Sequence, residues 1–159
     1  MECDVQQGTD PVVNAVLSAS RVLVAVAARS LSDVAEEVTL PQYRTLVVLA
    51  SRGPQSLAGL AEAVGVTPAT ATRMCDRLVK KDLVRRRTER GNRRRVRLAL
   101  TTTGRQLVDA VTVRRRQEIE RVVDVMPSDE QAVLVQALGR FAAAAGEVPE
   151  QDWTTGWDL

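Results

Sequence analysis

A three-residue turn between two helix-periodic segments constrains the fold of this 159-residue chain more than any other feature. The first segment, 57–64, follows Ser56, which can cap it, has apolar residues spaced for burial on one side and stops at Gly65. Thr67 and Pro68 then open the second segment, 68–81, as an N-cap residue and a first-turn proline. Because so short a turn joins them, the two segments predict a helix-turn-helix.

The second segment has two chemically different faces. On a helical wheel Ala71, Met74, Cys75 and Leu78 fall on the inner side, while hydroxyl and guanidinium donors occupy the other side and the first turn. A helix N-terminus favours phosphate, and arginine can bond guanine bidentately in the major groove. Taken alone, an amphipathic surface helix is the alternative; we interpret the segment as a recognition helix. Its candidate DNA contacts are Pro68, Ala69, Thr70, Thr72, Arg73 and Arg77.

An arginine-rich hairpin follows directly. Residues 85–97 contain eight arginines among thirteen residues, and the alternation of Val96, Leu98 and Leu100 predicts a strand anchored on the core, with Ala99 on the opposite face. Gly91-Asn92 supplies the turn at the tip. A helix-turn-helix followed by a basic hairpin is a winged helix. The candidate contacts on the wing are Arg90, Arg93, Arg94 and Arg95.

Charge is divided along the chain. Residues 73–97 carry a formal charge of +9 and the remainder −7, within a net charge of +2. A basic segment on an acidic body favours a polyanionic partner, double-stranded DNA above all, although a solvated charged loop is the simpler alternative.

Long apolar helices flank this region. Periodicity predicts one from an Asp10-Pro11 start to near Val38, with a stripe broad enough to indicate burial in a dimer. After the hairpin, Thr101 is predicted to cap a helix over 102–125. Ser128 is predicted to form a capping box with Gln131 before a last helix over 129–145. The tail 146–159, with Trp153 and Trp157, either is disordered or docks on a partner subunit.

Several classes of function are disfavoured. The chain has no histidine for general base work, no P-loop and no dinucleotide fingerprint, so we expect no enzyme and no cofactor. Two cysteines and no histidine make a metal site unexpected. The first ten residues are polar and acidic, and the longest unbroken apolar run, 22–28, has seven residues, so we expect a cytoplasmic protein without a membrane partner.

Three other binding classes stay open at this stage. A winged helix can serve as a protein-interaction module without DNA binding, although the density of arginine argues against it. Single-stranded RNA binding lacks stacking platforms, since the chain has one Tyr and one Phe. Oxidant sensing needs an accessible thiol with a low pKa. Cys75 is predicted to be a buried hydrophobe, and Cys3 lies between Glu2 and Asp4, whose negative charges are expected to raise the pKa of its thiol.

Three stretches together resemble the MarR family of bacterial transcriptional regulators: LPQYRTLVVL (40–49), LAGLAEAVGVTPATATRMCDRLVKKDLVRR (57–86) and LTTTG (100–104). The resemblance implies a mainly α fold with a small β-hairpin wing, and a homodimer that represses transcription from a near-palindromic operator. It also implies a division into dimerisation segments, 1–38 and 102–159, around a DNA-binding lobe, 39–101.

The resemblance also assigns roles to individual residues. The family usually has Asp-x-Arg at the wing tip, with the arginine in the minor groove, which corresponds here to Asn92-Arg93-Arg94. Arg94 therefore inherits that role, while Asn92 can hydrogen-bond to the arginine without ion pairing. Many members respond to a small phenolic molecule or an oxidant, in a crevice between lobe and dimerisation helices. Tyr43 and Arg44, or Arg114–Arg116, are candidates there, with core packing and a solvated face as the alternatives.

Overall fold

The structure, a computed structural model, describes residues 5–32, 38–89 and 92–153, with the backbone alone for 5–10, 89 and 92–95. In these ranges it is mainly helical with a two-stranded antiparallel hairpin, the fold class predicted from the sequence. The helices are α1 (Val5–Leu31), α2 (Leu40–Arg52), α3 (Leu57–Val64), α4 (Pro68–Lys80), α5 (Thr102–Val123) and α6 (Ser128–Ala144), followed by a 3-10 turn (Glu150–Asp152), and the strands are β1 (Val84–Glu89) and β2 (Asn92–Leu100).

The helix-turn-helix forms where the local signals place it. The Ser56 hydroxyl accepts a hydrogen bond from the backbone N–H of Gly59 at 3.1 Å and starts α3. Gly65 ends α3 with a φ of 72°, a left-handed conformation that glycine adopts without the Cβ clash of other residues. The Thr67 hydroxyl then accepts from the backbone N–H of Thr70 at 3.2 Å, which starts α4. The predicted caps of both helices are confirmed.

Helix α2 forms the centre of the hydrophobic core. Its residues 45–51 are buried on every side, which is unusual for a helix of a small domain and shows that other elements surround it. The inner face of α4 packs toward it as predicted, with Ala71, Met74, Cys75 and Leu78 buried. The residues that reach the same core from the other elements are Leu31, Leu60, Leu83, Val84, Leu98, Leu107, Val108 and Val111.

Among the described side chains of the hairpin, those buried in the core lie at its base. Leu98 is buried, as predicted, but Val96 is 48% exposed, so its prediction as a core anchor was wrong. Ala99, predicted on the opposite face, is also buried. The base of β2 lies between α2 and α5, so both faces are covered there, whereas Val96, paired with Thr88, lies farther out where the hairpin projects beyond the core.

Helix α1 begins earlier and ends sooner than predicted. It starts at Val5, so Asp10 is not its N-cap, and Pro11 lies inside the helix. Pro11 is the seventh residue of the helix, beyond the first turn, where a proline removes one backbone hydrogen bond and its ring crowds the carbonyl four residues earlier. The regular helix ends at Leu31; the predicted continuation through 33–37 falls outside the described residues, and Val38 lies outside the helix.

Most of the apolar surface of residues 11–31 of α1 is exposed. Val26, Ala27 and Leu31 are buried, and α5 is the element that α1 contacts most, but seven large apolar side chains lie open. Pro11–Leu31 has a mean hydropathy of 1.7, and only 11% of its most apolar stretch is buried in the structure. By length and composition this described helix could therefore cross a membrane. The longest unbroken apolar run, 22–28, did not reveal it, because polar residues such as Asn14, Ser18 and Arg21 interrupt the apolar stretch. The exposed residues are Val12, Val13, Val16, Leu17, Val22, Leu23 and Val24.

The start of α6 differs from the prediction. Ser128 is its first residue and Pro127 precedes it, so the predicted Ser128 capping box does not form. Instead, the side-chain amide of Gln131 donates to the backbone carbonyls of Val123 at 3.2 Å and Met126 at 2.9 Å. The Gln131 side chain thus reaches back to the turn after α5, where the Val123 carbonyl also accepts from the backbone N–H of Met126 at 2.9 Å.

The segment after α6 packs against other elements of the same chain. Residues 146–153, hereafter the tail segment, contact α2 and α5, and Trp153 packs against the core cluster. Of the two alternatives left open by the sequence, disorder does not describe these residues, and docking on a partner subunit stays a prediction. Trp157 falls outside the described residues.

Candidate nucleic-acid interface

The N-terminal turn of α4 is open to solvent. Pro68, Ala69 and Thr70 are exposed, and Thr67 caps the helix while its own hydroxyl donates to the Thr70 hydroxyl at 3.0 Å. The cap uses one of the free N–H groups of the first turn and leaves the positive end of the helix dipole facing outward. This end of α4 can therefore accept an anionic group such as a phosphate.

The outer face of α4 carries the predicted cations. Arg73 and Arg77 are exposed and lie one turn apart, so both guanidinium groups belong to the same face. Thr72 is half-buried, and its hydroxyl donates to the backbone carbonyl of Pro68 at 2.9 Å, which leaves the hydroxyl oxygen free to accept a hydrogen bond. The structure thus brings all six predicted α4 residues to one exposed face and end.

The wing follows α4 as an antiparallel ladder. Its pairing runs from Val84 opposite Leu100 to Thr88 opposite Val96, and the register then shifts so that Glu89 lies opposite Asn92. Arg93–Arg95 belong to the part of β2 that spans this shift, and their side chains are outside the description, as are Arg90 and Gly91. The wing-tip contacts therefore stay a prediction.

An ion pair that the sequence analysis missed joins the wing to α4. The Arg86 guanidinium on β1 bonds to the Asp76 carboxylate on α4, and both side chains are about half exposed. A surface pair of this kind stabilises a fold by only ~0–1 kcal/mol. Its effect lies in orientation, because it joins β1 of the hairpin to α4. The one signal in the sequence was the single carboxylate on an otherwise cationic helix face.

Comparison with known proteins agrees with this geometry. A family model, described as MarR family, matches residues 38–96, from the start of α2 into β2. The transcriptional repressor NicR of Pseudomonas putida is 32% identical over 105 residues, which are 66% of this chain and 66% of NicR. The crystal structure of RV1404 from Mycobacterium tuberculosis is 45% identical, with a TM-score of 0.82 over 89% of this chain and 97% of that one. The chain belongs to the MarR family.

A more distant structure shows the same fold. A MarR family protein from Bacillus stearothermophilus is 18% identical, with a TM-score of 0.78 over 89% of this chain and 98% of that one. As a member of the MarR family, the present chain is a transcriptional regulator and not an enzyme.

A cleft lies at the base of this MarR-family wing. It has a volume of about 290 Å³ and opens between β1, the end of α2 and the start of α5. Arg85 and Arg87 line it from β1, and Arg105 and Asp109 line it from α5. In the sequence, the arginines of β1 belong to one charged run. Alternation along the strand divides them, since Arg86 turns to α4 and its two neighbours turn to α5.

The two candidate effector residues of the family crevice are already engaged. Tyr43 is 3% exposed, and the Arg115 guanidinium carbon lies 5.6 Å from the centre of its ring. Burial raises the pKa of Tyr43, while a hydrogen bond with the Thr112 side chain opposes that shift. Arg44 forms a two-point ion pair with Glu147 of the tail segment. A role of Tyr43 and Arg44 in effector binding stays a prediction.

Cys75 has the environment predicted for it. It is 1% exposed, and burial, with a smaller contribution from the Asp76 carboxylate, raises the pKa of its thiol. A raised pKa lowers the thiolate fraction, which is the reactive form. Cys3, the other candidate of the oxidant-sensing alternative, falls outside the described residues.

Proposed function

We propose that this MarR-family chain is a repressor that binds a near-palindromic operator in double-stranded DNA as a homodimer. The observation that carries the proposal is the exposed face of α4, where Arg73 and Arg77 stand one turn apart behind an open, capped N-terminus. In each subunit α4 enters a major groove and the hairpin lies beside it. Segments 1–38 and 102–159 dimerise, and the lobe 39–101 binds the DNA.

The proposal gives the predicted residues distinct tasks. Pro68, Ala69 and Thr70 lie at the end of α4 that favours phosphate, so they position the helix on the backbone. Arg73 and Arg77 extend toward base edges or phosphates, and Thr72 offers a hydroxyl acceptor. Counterion release supplies much of the affinity, so binding falls steeply with salt. The wing contributes Arg90, Arg93, Arg94 and Arg95, with Arg94 in the minor groove.

Exposed apolar surface supports the homodimer. None of the residues of α6 is buried, although it is amphipathic, and most of the apolar surface of α1 is open. A lipid bilayer could cover Pro11–Leu31, but it would leave the apolar residues of α5 and α6 exposed. A second copy of the chain covers all three helices at once, and a DNA target places the dimer in the cytoplasm. The exposed large apolar residues of α5 and α6 are Val113, Val122, Val133, Val135, Leu138 and Phe141.

A response to a small phenolic or anionic effector is the second part of the proposal. The Tyr43 ring lies against the Arg115 guanidinium of α5, and Arg44, the next residue of α2, offers a second cation on the side of the tail segment. Aromatic rings and guanidinium groups are the partners that a phenol or a carboxylate binds. Because Glu147 already occupies Arg44, such an effector competes with the tail segment for that guanidinium.

Binding to selected DNA tests the proposal. Duplexes that the purified protein selects from a random pool are labelled and titrated by fluorescence anisotropy at fixed salt, with and without candidate phenols and peroxides. Losing one base or phosphate contact costs ~1–3 kcal/mol, so we expect Arg73→Ala, Arg77→Ala and Arg94→Ala each to weaken binding about tenfold or more. Melting temperatures stay close to that of the wild type because all three changes remove exposed or wing-tip charge.

The matched control is Arg121→Ala, which removes the same charge from the far end of α5 and leaves affinity nearly unchanged. Failure to select any duplex would instead favour a protein-interaction module. Wild-type affinity in both Arg73→Ala and Arg77→Ala would reject α4 as the recognition helix.

A further inference from the structure

We infer that the tail segment is a brace that holds α6 on the DNA-binding lobe, with Glu147 and Arg44 as the positioning pair that sets the distance between the two lobes of the dimer. The inference rests on the proposed homodimer and extends it, because it assigns the relative placement of the two DNA-binding surfaces to a particular contact.

The brace begins where α6 ends. Gly146 adopts a φ of 70°, and the backbone N–H of Glu147 bonds back to the carbonyl of Ala142 at 3.0 Å. A left-handed residue followed by such a return bond is a common way to end a helix, and glycine adopts it without strain. The chain therefore leaves α6 in a fixed direction, and this direction carries Glu147 to the face of α2.

Two contacts then fasten the segment to α2. The Arg44 guanidinium donates to both oxygens of the Glu147 carboxylate, at 2.8 and 2.6 Å. Arg52, two turns farther along α2, donates to the backbone carbonyl of Gly146 at 3.0 Å. A two-point arginine–carboxylate pair fixes orientation as well as distance, because the guanidinium and the carboxylate must share a plane. The end of α6 is thus held at two places on the helix at the centre of the lobe.

Two further contacts hold the segment near α5. Arg116 of α5 pairs with Glu150 at 3.2 Å. The Trp153 indole N–H donates to the carbonyl of Val148 at 3.1 Å, and the partly buried Trp153 ring packs against the core cluster. The segment therefore makes a compact turn of its own and packs one aromatic ring on the lobe.

Helix α6 is attached to the rest of its own chain mainly at its two ends. At its start Gln131 bonds to the end of α5, and at its end the tail segment bonds to α2. Between them no residue of α6 is buried. A helix held in this way is free along its length for a second copy of the chain. The brace then transmits the position of α6 in the dimer to the lobe that carries α4.

The first experiment measures the distance between lobes without DNA. Spin labels are attached at Glu62→Cys, an exposed position on α3, in a chain that also carries Cys3→Ser; Cys75 is buried. Pulsed dipolar spectroscopy of the dimer should give a narrow distribution of the distance between the two labels for the otherwise wild-type chain. We expect Glu147→Gln to broaden it about twofold, and the charge exchange Arg44→Glu with Glu147→Arg to narrow it again.

The second experiment asks whether the distance matters for DNA. Selected duplexes are lengthened by one or two base pairs between the half-sites. The wild type should lose about tenfold or more in affinity on these duplexes, and Glu147→Gln about threefold or less. Glu130→Gln, in the exposed first turn of α6, is the matched control and keeps wild-type behaviour in both experiments. Sedimentation checks that every variant is dimeric.

A wild-type distance distribution in Glu147→Gln would overturn the brace, and so would a chain that sediments as a monomer. The brace would also be overturned if lengthening the DNA between the half-sites lowered the affinity of Glu147→Gln as much as that of the wild type. Failure of the wild type to bind any duplex contradicts the proposed function instead, and the spin-label result then decides on the brace alone.

Discussion

At the scale of single residues, Gly104 fixes how the wing meets α5. A Cβ on Gly104 would stand 2.0 Å from the backbone oxygen of Leu83, so only glycine fits this crossing. The same crossing is hydrogen-bonded by Thr101, whose hydroxyl accepts from Gly104 at 3.0 Å and donates to the carbonyl of Asp82 at 2.5 Å. The predicted cap of α5 is therefore also the joint between the wing and the helix that leads to α6.

We expect Gly104→Ala to destabilise the fold, because the added methyl group meets backbone that cannot move aside. Overpacking of this kind costs ~1–3 kcal/mol, which urea denaturation followed by circular dichroism can measure. Gly59→Ala is the control, since its methyl group would meet only the ends of the Ser56 and Gln55 side chains at 3.3–3.4 Å. Equal stability of the two variants would show that the crossing relaxes.

At the scale of elements, the tail segment predicts how acid affects stability. Hydrogen bonding from Arg44, the largest cause, lowers the pKa of Glu147 below its ordinary value. A carboxylate with a lowered pKa stabilises the fold above its unfolded pKa, and this contribution disappears as the pH falls through the folded pKa. Both side chains are more than a third exposed, so solvent screens the pair to ~0–1 kcal/mol.

We therefore expect the free energy of unfolding of the wild type to exceed that of Glu147→Gln at neutral pH. The difference should begin to shrink as the pH falls below the unfolded pKa of about 4.3, and it should vanish only below the lowered folded pKa, where the glutamate is protonated in both states. Urea denaturation across this range measures it. A difference that persists in acid would mean that Glu147 stabilises the fold through packing rather than through its charge.

Local elements were predictable from the sequence, and long-range contacts were not. Caps such as Ser56 and Thr67 act within four residues, so spacing and residue type reveal them. The partner of Arg44 lies 103 residues away, and no local pattern indicates it. Val96 was wrongly predicted as a core anchor because period two gives the face of a strand but not how far the core extends beneath it.

At the scale of the whole molecule, the candidate site shows the same contrast between local features, which the sequence predicts, and long-range contacts, which it does not. Spacing alone predicted the exposed face of α4, including Arg73 and Arg77, because helical periodicity separates inner from outer residues. The Asp76–Arg86 pair and the cleft lined by Arg105 depend on how elements pack, so they emerged only from the structure. The positive stretch 73–97 and the open apolar helices lie in different parts of the chain, as a regulator that dimerises through one part and binds DNA through another requires.

A hydroxyl-radical footprint on a selected duplex tests the central claim most directly. If a homodimer places one α4 in each of two major grooves, the protection is two-fold symmetric, with its two halves about one helical turn, ~10 base pairs, or a multiple of it apart. Arg73→Ala and Arg77→Ala should weaken both halves together. A single or asymmetric protected region, or symmetric protection that survives both substitutions, would contradict the account.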